Sequence, residues 1–291
     1  MSVQTLIRDR YSELSPALQA AARFLLDHPN AVVVMSMRAL AGNAALPAAT
    51  LVRLAQRLGF AGWPQLKAAF VGELGLGTDD YGRRAKGLLA RHKDATLLGE
   101  MFGVQRRNLE LTEARSSSAL RRAARLIERA PAVHVAGFRA SFPIAYSFVY
   151  VYRLFRDSVH LLDGLAGGLE MQLRSFEKGD AVLATSFAPY SREAMTVVDA
   201  ARRAGCRIVA LTDSAASPLS LAADVTILFS ATSPSFFPSI AAGIAAAEGL
   251  LEMLVAQAGA PGVARIERAE HALHASGAYL QSPLRRNRAR R

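Results

Sequence analysis

The 291-residue sequence has little cysteine, no secretory signal and no uninterrupted apolar run of membrane-spanning length. Cys206 is its single cysteine, so no disulfide can form within the chain, and a reducing compartment such as the cytoplasm is expected. The N-terminal residues lack the apolar segment on which a secretory signal depends. The longest apolar stretch, from Ile240 to Ala258, is interrupted by Glu248, Glu252 and Gln257. It therefore predicts a buried helix of a soluble protein, with no membrane partner.

Acidic residues are also few relative to basic ones. The sequence has 24 Asp and Glu against 35 Lys and Arg, which gives a formal net charge of +11. Such a surplus favours an anionic partner, and nucleic acid is the first candidate. Metal-ligand spacings, a P-loop and a dinucleotide fingerprint are all lacking, so we expect no cofactor and no metal. The hydrophobic content of 51% is sufficient for the cores of two modest domains.

Residues 1–77 form the first predicted domain, an all-α domain with helical apolar spacing. Helices over 37–43 and 47–58, with a turn from Gly42 to Leu46, have the spacing of a helix-turn-helix. The second helix packs through Leu51, Leu54 and Leu58, and its other face is small and basic. We predict that this surface contacts double-stranded DNA through Arg38, Ala49, Thr50, Arg53, Gln56 and Arg57. The alternative is a generic helical hairpin with a solvated arginine face.

The residues that follow allow a more specific assignment of this domain. The segment TLVRLAQRLGF continues into LGFAGWPQLKAAF, and Leu40 and Ala41 precede it. Together these residues resemble the N-terminal domain of the RpiR/MurR-type bacterial transcriptional regulators. The resemblance implies a DNA-binding regulator. The recognition helix of that family usually opens with serine, whereas Pro47 stands there in this sequence, which leaves Thr50 and Arg53 as the matching positions.

Residues 78–130 are predicted to be a helical linker that carries oligomer contacts. We expect two separate helices here, over Leu97–Leu109 and Ser117–Arg129, after a Gly- and Asp-rich break at residues 75–81. At the other end of the chain, residues 281–291 form a basic tail. Such a tail is either disordered or adds nonspecific phosphate contacts to DNA.

Residues 131–280 alternate between short apolar runs and helical patterns. The runs at 132–137, 158–162, 180–186, 207–212 and 224–229 predict five strands of a mostly parallel sheet in a three-layer αβα domain. Ligands bind such sheets at the carboxyl ends of the strands, where two polar turns fall, Gly137–Ser141 and Ser186–Ser191. The helix that starts after the second turn offers free N–H groups and a partial positive charge, which suit an anion.

This second domain resembles the SIS (sugar isomerase) domain, a phosphosugar-binding α/β module. The resemblance rests on Gly137 and Ser141 after the first strand, Ser186 and Ser191 after the third, and the stretch GCRIVALTDSAASPLSLAADVTILF. With the N-terminal resemblance, it implies a regulator that binds DNA and senses a small metabolite.

The turn after the third strand departs from the family pattern Ser-x-Ser-Gly-x-Thr/Ser. Ala188 and Pro189 replace the second serine and the glycine, which removes one hydroxyl and one backbone N–H. In the first turn, Arg139 stands where a second glycine is usual, and a guanidinium can hold an anion in a bidentate way. We predict that a small anionic metabolite, a phosphosugar or a sugar acid, binds at Gly137, Arg139, Ser141, Ser186, Tyr190 and Ser191. The alternative for Arg139 is an ion pair with an acid such as Asp163 or Glu170.

Two other functions compete with this interpretation. A sugar-phosphate isomerase would need a general base and a ring-opening histidine, for which Glu248, Glu252, His271 and His274 are the candidates. Alternatively, the SIS-like domain serves only for oligomerisation. We favour a non-enzymatic regulator that binds a palindromic operator as a homodimer or homotetramer.

Overall fold

The computed structural model describes residues 3–73, 81–91 and 95–279. The basic tail predicted at 281–291 and most of the predicted break at 75–81 lie outside these residues. The chain divides into two compact units. The first contains the described residues up to 91 together with 188–190 and 216–218, and the second contains the other described residues from 95 onward.

The N-terminal unit is all-helical. Its described helices are α1 (Val3–Asp9), α2 (Pro16–Asp27), α3 (Pro29–Val34), α4 (Met37–Asn43), α5 (Ala48–Arg57), α6 (Trp63–Glu73) and α7 (Tyr81–Ala90). The core consists of apolar side chains from all six helices α1 to α6, among them the fully buried Leu25, Leu40, Leu51, Leu54 and Phe70. Each such side chain stabilises the fold by about 1.5–3 kcal/mol, so this core holds the helices in a fixed arrangement.

Helices α4 and α5 form the helix-turn-helix. Ser36 caps α4, because its Oγ accepts a hydrogen bond from Ala39 N at 3.2 Å. Leu46 packs half-buried against the core at the turn. The left-handed conformation of the turn falls on Ala45, with a φ of +51°, whereas Gly42 lies inside α4. The turn therefore starts after the predicted position, and the packing of the two helices holds a non-glycine residue in a conformation that costs about 1–2 kcal/mol.

The C-terminal unit is an α/β domain built on a five-stranded, all-parallel sheet. The strands are β1 (Val133–Gly137), β2 (Val159–Leu162), β3 (Ala181–Thr185), β4 (Arg207–Thr212) and β5 (Val225–Leu228). Their order in the sheet is β2-β1-β3-β4-β5, and Thr185 pairs with Gly137 on one side and Leu211 on the other. Every residue of β1 and β3 is buried, as in a parallel sheet covered on both faces. The predicted fold class is confirmed.

The described helices of this unit surround the sheet and join its strands. They are α8 (Leu97–Glu128), α9 (Phe142–Tyr152), α10 (Leu169–Leu173), α11 (Arg192–Ala204), α12 (Pro218–Ala222) and α13 (Ala241–Ala275). Helix α11 begins directly after the second polar turn, as predicted, because Ser191 caps its start. Gly205 follows its end in a left-handed conformation with a φ of +78°.

Helix α8 is one continuous helix of 32 residues. The prediction of two separate helices over 97–109 and 117–129 was therefore wrong. The polar residues between these two segments do not interrupt the helix. Asn108, Thr112 and Ser116 instead form a buried polar ladder, four residues apart, along one face of α8.

The polar ladder binds the backbone of edge strand β5 and of the residues after it. Ser116 Oγ donates to Leu228 O at 2.5 Å and accepts from Leu228 N at 3.0 Å. Thr112 Oγ1 accepts from Ser230 N at 2.9 Å. These bonds satisfy backbone groups that an edge strand would otherwise leave unpaired. They join parts of the chain more than 100 residues apart, so local sequence patterns carry no sign of them.

Helix α13 is a helix of the core. By length and composition it is the one helix among the described residues that could cross a membrane. Its first half, however, packs on α8 and α9 and buries Ala246, Leu250 and Leu254 in the core of the α/β domain. At Gly243 a Cβ would lie 2.8 Å from Ile144 Cδ1, so a larger residue there would displace the Ile144 side chain.

Candidate functional sites

The loops that follow β1 and β3 lie side by side at the carboxyl edge of the sheet. These strands are neighbours, and the strand order reverses here, since β2 lies on the other side of β1. In open parallel sheets such a reversal opens a crevice between the two loops, where ligands bind. The two predicted ligand segments, 137–141 and 186–191, are these loops.

The loop after β1 places an arginine where the backbone favours glycine. At Gly137 a Cβ would lie 2.7 Å from Ser141 O and 2.7 Å from Ala145 Cβ, so only glycine fits there. Two residues later, Arg139 has a φ of +55°. This left-handed conformation costs a residue with a Cβ roughly 1–2 kcal/mol. Ser141 then lies buried at the start of α9.

Arg139 forms an ion pair with the first turn of α11. Its Nη2 donates a hydrogen bond to Glu193 Oε1 at 2.8 Å, and this bond holds the pKa of Glu193 below its usual value. The second carboxylate oxygen, Oε2, is buried and has no hydrogen-bond partner within the described part of the chain. The acid paired with Arg139 is thus neither of those considered, Asp163 and Glu170. Asp163 instead accepts a hydrogen bond from Gln172 Nε2 at 3.0 Å.

The loop after β3 is held closed by its two serines. Ser186 Oγ accepts from Ser191 N, and Ser191 Oγ accepts from Ala194 N as the cap of α11, both at 3.2 Å. Each hydroxyl can still donate its proton to a ligand. Thr185, the last residue of β3, is fully buried, and its hydroxyl has no hydrogen-bond partner among the residues that the structure describes. The site therefore retains hydrogen-bonding capacity that the protein does not use.

All six predicted ligand residues lie on these two neighbouring loops, with Tyr190 half-buried. Thr185 and Glu193 also belong to the site, although the sequence did not single them out. An acidic residue in the first turn of a helix already has a local explanation, its favourable interaction with the helix start. What places Glu193 at this candidate site is its ion pair with Arg139, a residue 54 positions away in the sequence.

The second candidate site is the exposed face of α5 with the neighbouring α4. Five of the six predicted DNA-contact residues are exposed there, namely Arg38, Ala49, Arg53, Gln56 and Arg57. The three arginines have no ion-pair or hydrogen-bond partner among the described residues. The prediction that Thr50 contacts DNA was wrong, because its side chain is only 4% exposed. It precedes Leu54 by four residues and therefore lies on the buried face of α5.

The residues considered for isomerase chemistry are not assembled into an acid–base site. All four are exposed on α13, namely Glu248, Glu252, His271 and His274. His274 Nε2 lies 3.8 Å from Glu270 Oε1, an ordinary pair one turn apart on the helix surface. Within the part of the chain that the structure describes, no group of three or more His, Cys, Asp or Glu could hold a metal ion.

Known proteins resemble both domains. Residues 1–76 match the helix-turn-helix domain of the rpiR family, and residues 126–253 match the SIS domain. An HTH-type transcriptional regulator from Caldanaerobacter subterraneus is 23% identical over 239 residues, which cover 80% of this chain and 82% of that protein.

Two solved structures share the fold. The sugar isomerase domain of an RpiR transcription factor from Sphaerobacter thermophilus aligns with a TM-score of 0.58 and 22% identity, over 60% of this chain and 99% of that one. The Vibrio vulnificus NanR protein, complexed with ManNAc-6P, aligns with a TM-score of 0.56 and 18% identity, over 96% of this chain and 100% of that one.

A helix-turn-helix domain followed by a SIS domain defines a class of two-domain transcriptional regulators. The chain joins a helix-turn-helix domain of the rpiR family to a SIS domain, and it is similar over both domains to RpiR-type regulators. The resemblances noted in both halves of the sequence are thereby confirmed.

Proposed function

We propose that the chain binds operator DNA through α5 and that a small anionic sugar derivative controls this binding from the loops after β1 and β3. The proposal that the chain binds DNA rests on Arg38, Arg53 and Arg57, which are exposed beside Ala49 and have no partner among the described residues. A small residue near the start of a recognition helix permits close approach to DNA, and arginine reaches phosphates or base edges.

The DNA-binding half is tested by fluorescence anisotropy on the promoter region beside the chain's own gene and on an unrelated duplex. We expect Arg53→Ala to lower operator affinity by about 10-fold or more, as the loss of a good base or phosphate contact does. The matched control is Arg8→Ala, an exposed arginine on α1. Equal binding to both duplexes, unaffected by Arg53→Ala, would contradict operator recognition.

The effector half rests on the Arg139–Glu193 pair and its buried, unpartnered Oε2. Arg139 and the start of α11 favour one anionic group on the ligand. Glu193 is an acceptor-only carboxylate, which attracts hydroxyl donors and repels a second anion. A phosphosugar or a sugar acid combines both features, and the NanR structure with ManNAc-6P supports this ligand class.

The effector half is tested by calorimetry on the full chain with sugar phosphates, sugar acids, the matching neutral sugars and inorganic phosphate. We expect a ligand with both an anionic group and hydroxyls to bind more tightly than either fragment. Arg139→Ala should weaken it by at least about 10-fold, as expected for a lost charge-assisted hydrogen bond. Arg202→Ala, at the opposite end of α11, is the matched control.

Other outcomes of this screen distinguish the competing functions. No binding by any ligand, with operator binding intact, would favour a SIS domain that serves only for oligomerisation. Turnover of a sugar phosphate without salt-sensitive DNA binding would favour an isomerase. Control of transcription additionally requires that the ligand change the operator affinity, since only differential binding to two states shifts their populations.

We also propose that the chain is a homodimer or a homotetramer and that α8 contributes to the interface. Leu98, Phe102 and Leu109 are 72%, 62% and 43% exposed. At about 100° per residue they lie within roughly 40° of one another around the helix. We expect Phe102→Ser to shift the oligomer toward monomer in sedimentation experiments. Leu111→Ser is the control, because Leu111 is also exposed, at 43%, but lies on the opposite side of α8.

A further inference from the structure

A cleft of about 420 Å³ lies at the amino-terminal edge of the sheet, the edge opposite to the loops after β1 and β3. Ala130 precedes β1 and Gly179 precedes β3, while Arg207 and Val225 are the first residues of β4 and β5. The remaining wall is the last part of α8. The cleft is therefore separate from the proposed effector site.

Four arginines line this cleft, and no acidic side chain does. Arg122 and Arg125 lie three residues apart on α8, Arg129 is the residue directly after the helix, and Arg207 comes from β4. Arg207 is paired with Asp224 at 3.0 Å. Arg125 and Arg129 are exposed and have no ion-pair or hydrogen-bond partner in the described residues.

The end of α8 does not account for these arginines. Cations are favourable near the last carbonyls of a helix, but Arg156 already binds those carbonyls. Its Nη1 donates to Ile127 O at 3.1 Å, and its Nη2 donates to Ala130 O. Arg125 and Arg129 are therefore not needed as caps. Asp224 neutralises Arg207, but the guanidinium groups of Arg122, Arg125 and Arg129 still repel one another, and an anion between them would relieve this repulsion.

We propose that this cleft binds a small anion with two or more linked phosphoryl groups. Arginine guanidinium groups match phosphate oxygens in bidentate geometry, and several of them balance the charge of a polyphosphate. The volume lies in the range of small-molecule sites. A concave cleft suits a compact ligand better than the extended backbone of a DNA duplex. Leu126, Ala130 and Val225 supply an apolar wall that limits access of water to the phosphates.

The probe is inorganic pyrophosphate, titrated into the full chain by calorimetry at constant ionic strength and without DNA. The cleft variant is Arg125→Gln with Arg129→Gln. The matched control is Arg115→Gln with Arg121→Gln, which removes the same charge from exposed positions of α8 that do not line the cleft. We expect the cleft variant to weaken pyrophosphate binding by at least about 10-fold and the control by less than about 2-fold, because only the former removes bidentate phosphate contacts.

Two further measurements keep the test decisive. Inorganic phosphate should bind at least about 10-fold more weakly than pyrophosphate, since one phosphoryl group reaches fewer arginines. In the unsubstituted chain, pyrophosphate should slow amide hydrogen exchange over residues 122–130 and leave residues 97–109 unchanged.

Several results would overturn the proposal. The proposal fails if pyrophosphate does not bind, or if the cleft variant and the control lose the same affinity for it. It also fails if phosphate binds as tightly as pyrophosphate, or if pyrophosphate slows hydrogen exchange only outside residues 122–130. If the cleft variant instead loses affinity for an unrelated DNA duplex while pyrophosphate does not bind, the arginines are a DNA-backbone surface.

Discussion

Arg139 and Glu193 are joined by a hydrogen bond of 2.8 Å between the loop after β1 and the first turn of α11. Arg139 makes this contact from a left-handed backbone conformation, with a φ of +55°. The position thus combines local strain with a side chain placed at the candidate ligand site. Strain of this kind persists where the surrounding structure enforces it, and such positions cluster at functional sites.

This combination predicts that Arg139→Gly and Arg139→Ala behave alike in ligand binding but differ in stability. Both substitutions remove the guanidinium and should weaken anion binding equally. Glycine relieves the strain and alanine does not. The free energy of unfolding should therefore be about 1 kcal/mol higher for Arg139→Gly than for Arg139→Ala. Urea denaturation of the two variants measures this difference. Equal stability would mean that the backbone at residue 139 is not strained in solution.

The burial of Thr50 separates it from the arginines of the same helix. We expect Thr50→Val to keep the operator affinity within about 2-fold, because a side chain buried in the core makes no phosphate or base contact. Arg53→Ala, measured by anisotropy on the same duplex, supplies the comparison. If Thr50→Val lowered the operator affinity as much as Arg53→Ala does, the side chain of Thr50 would have to contact DNA.

The polar ladder of α8 contributes to the stability of the α/β domain through Ser116. We expect Ser116→Ala to lower the free energy of unfolding by roughly 1–3 kcal/mol, because the N–H and C=O of Leu228 lose their partner away from water. Ser117→Ala is the control, since Ser117 is exposed and bonds only to Glu113 O within the helix. Its effect should stay within about 0.5 kcal/mol, as for most surface substitutions. Similar losses in the two variants would contradict the role of the ladder.

Cys206 should make stability fall at alkaline pH. Burial raises the pKa of its thiol to about 11, above the usual value of 9.0. The folded state therefore holds the thiol proton more tightly than the unfolded state does. The resulting stability is fully present below pH 9 and is lost as the pH rises from 9 to 11.

The measurement is chemical denaturation at several pH values in the unsubstituted chain and in Cys206→Ala. Lysines and tyrosines titrate in the same range, and the variant retains their contribution. The chain should lose stability more steeply than Cys206→Ala between pH 9 and 11. Parallel pH profiles would show that the thiol does not contribute.

The parts of the fold that local chemistry determines could be predicted from the sequence. Helix α4 spans the predicted residues 37–43, with its start capped by Ser36. Helix α11 starts directly after the predicted second turn, where Ser191 caps it. Strand β4 likewise spans the predicted residues 207–212. Alternating strands and helices also implied a parallel sheet, whose order then places the two polar loops together.

The features that depend on distant contacts could not be predicted. The small polar residues of α8 are typical of a linker, and their partners in and after β5 lie more than 100 residues further along. Thr50 was misplaced for a different reason. Its polarity favoured the exposed face, whereas its position four residues before Leu54 puts it on the buried one.

The polar ladder also limits how copies of this domain can associate. An edge strand with free backbone groups accepts a further strand from another chain, which is the usual route to sheet extension and aggregation. At β5 the amide and carbonyl of Leu228 are already bonded to Ser116, and α8 lies along the strand. A neighbouring chain therefore cannot continue the sheet through Leu228, and assembly on this side of the domain has to use helix surfaces.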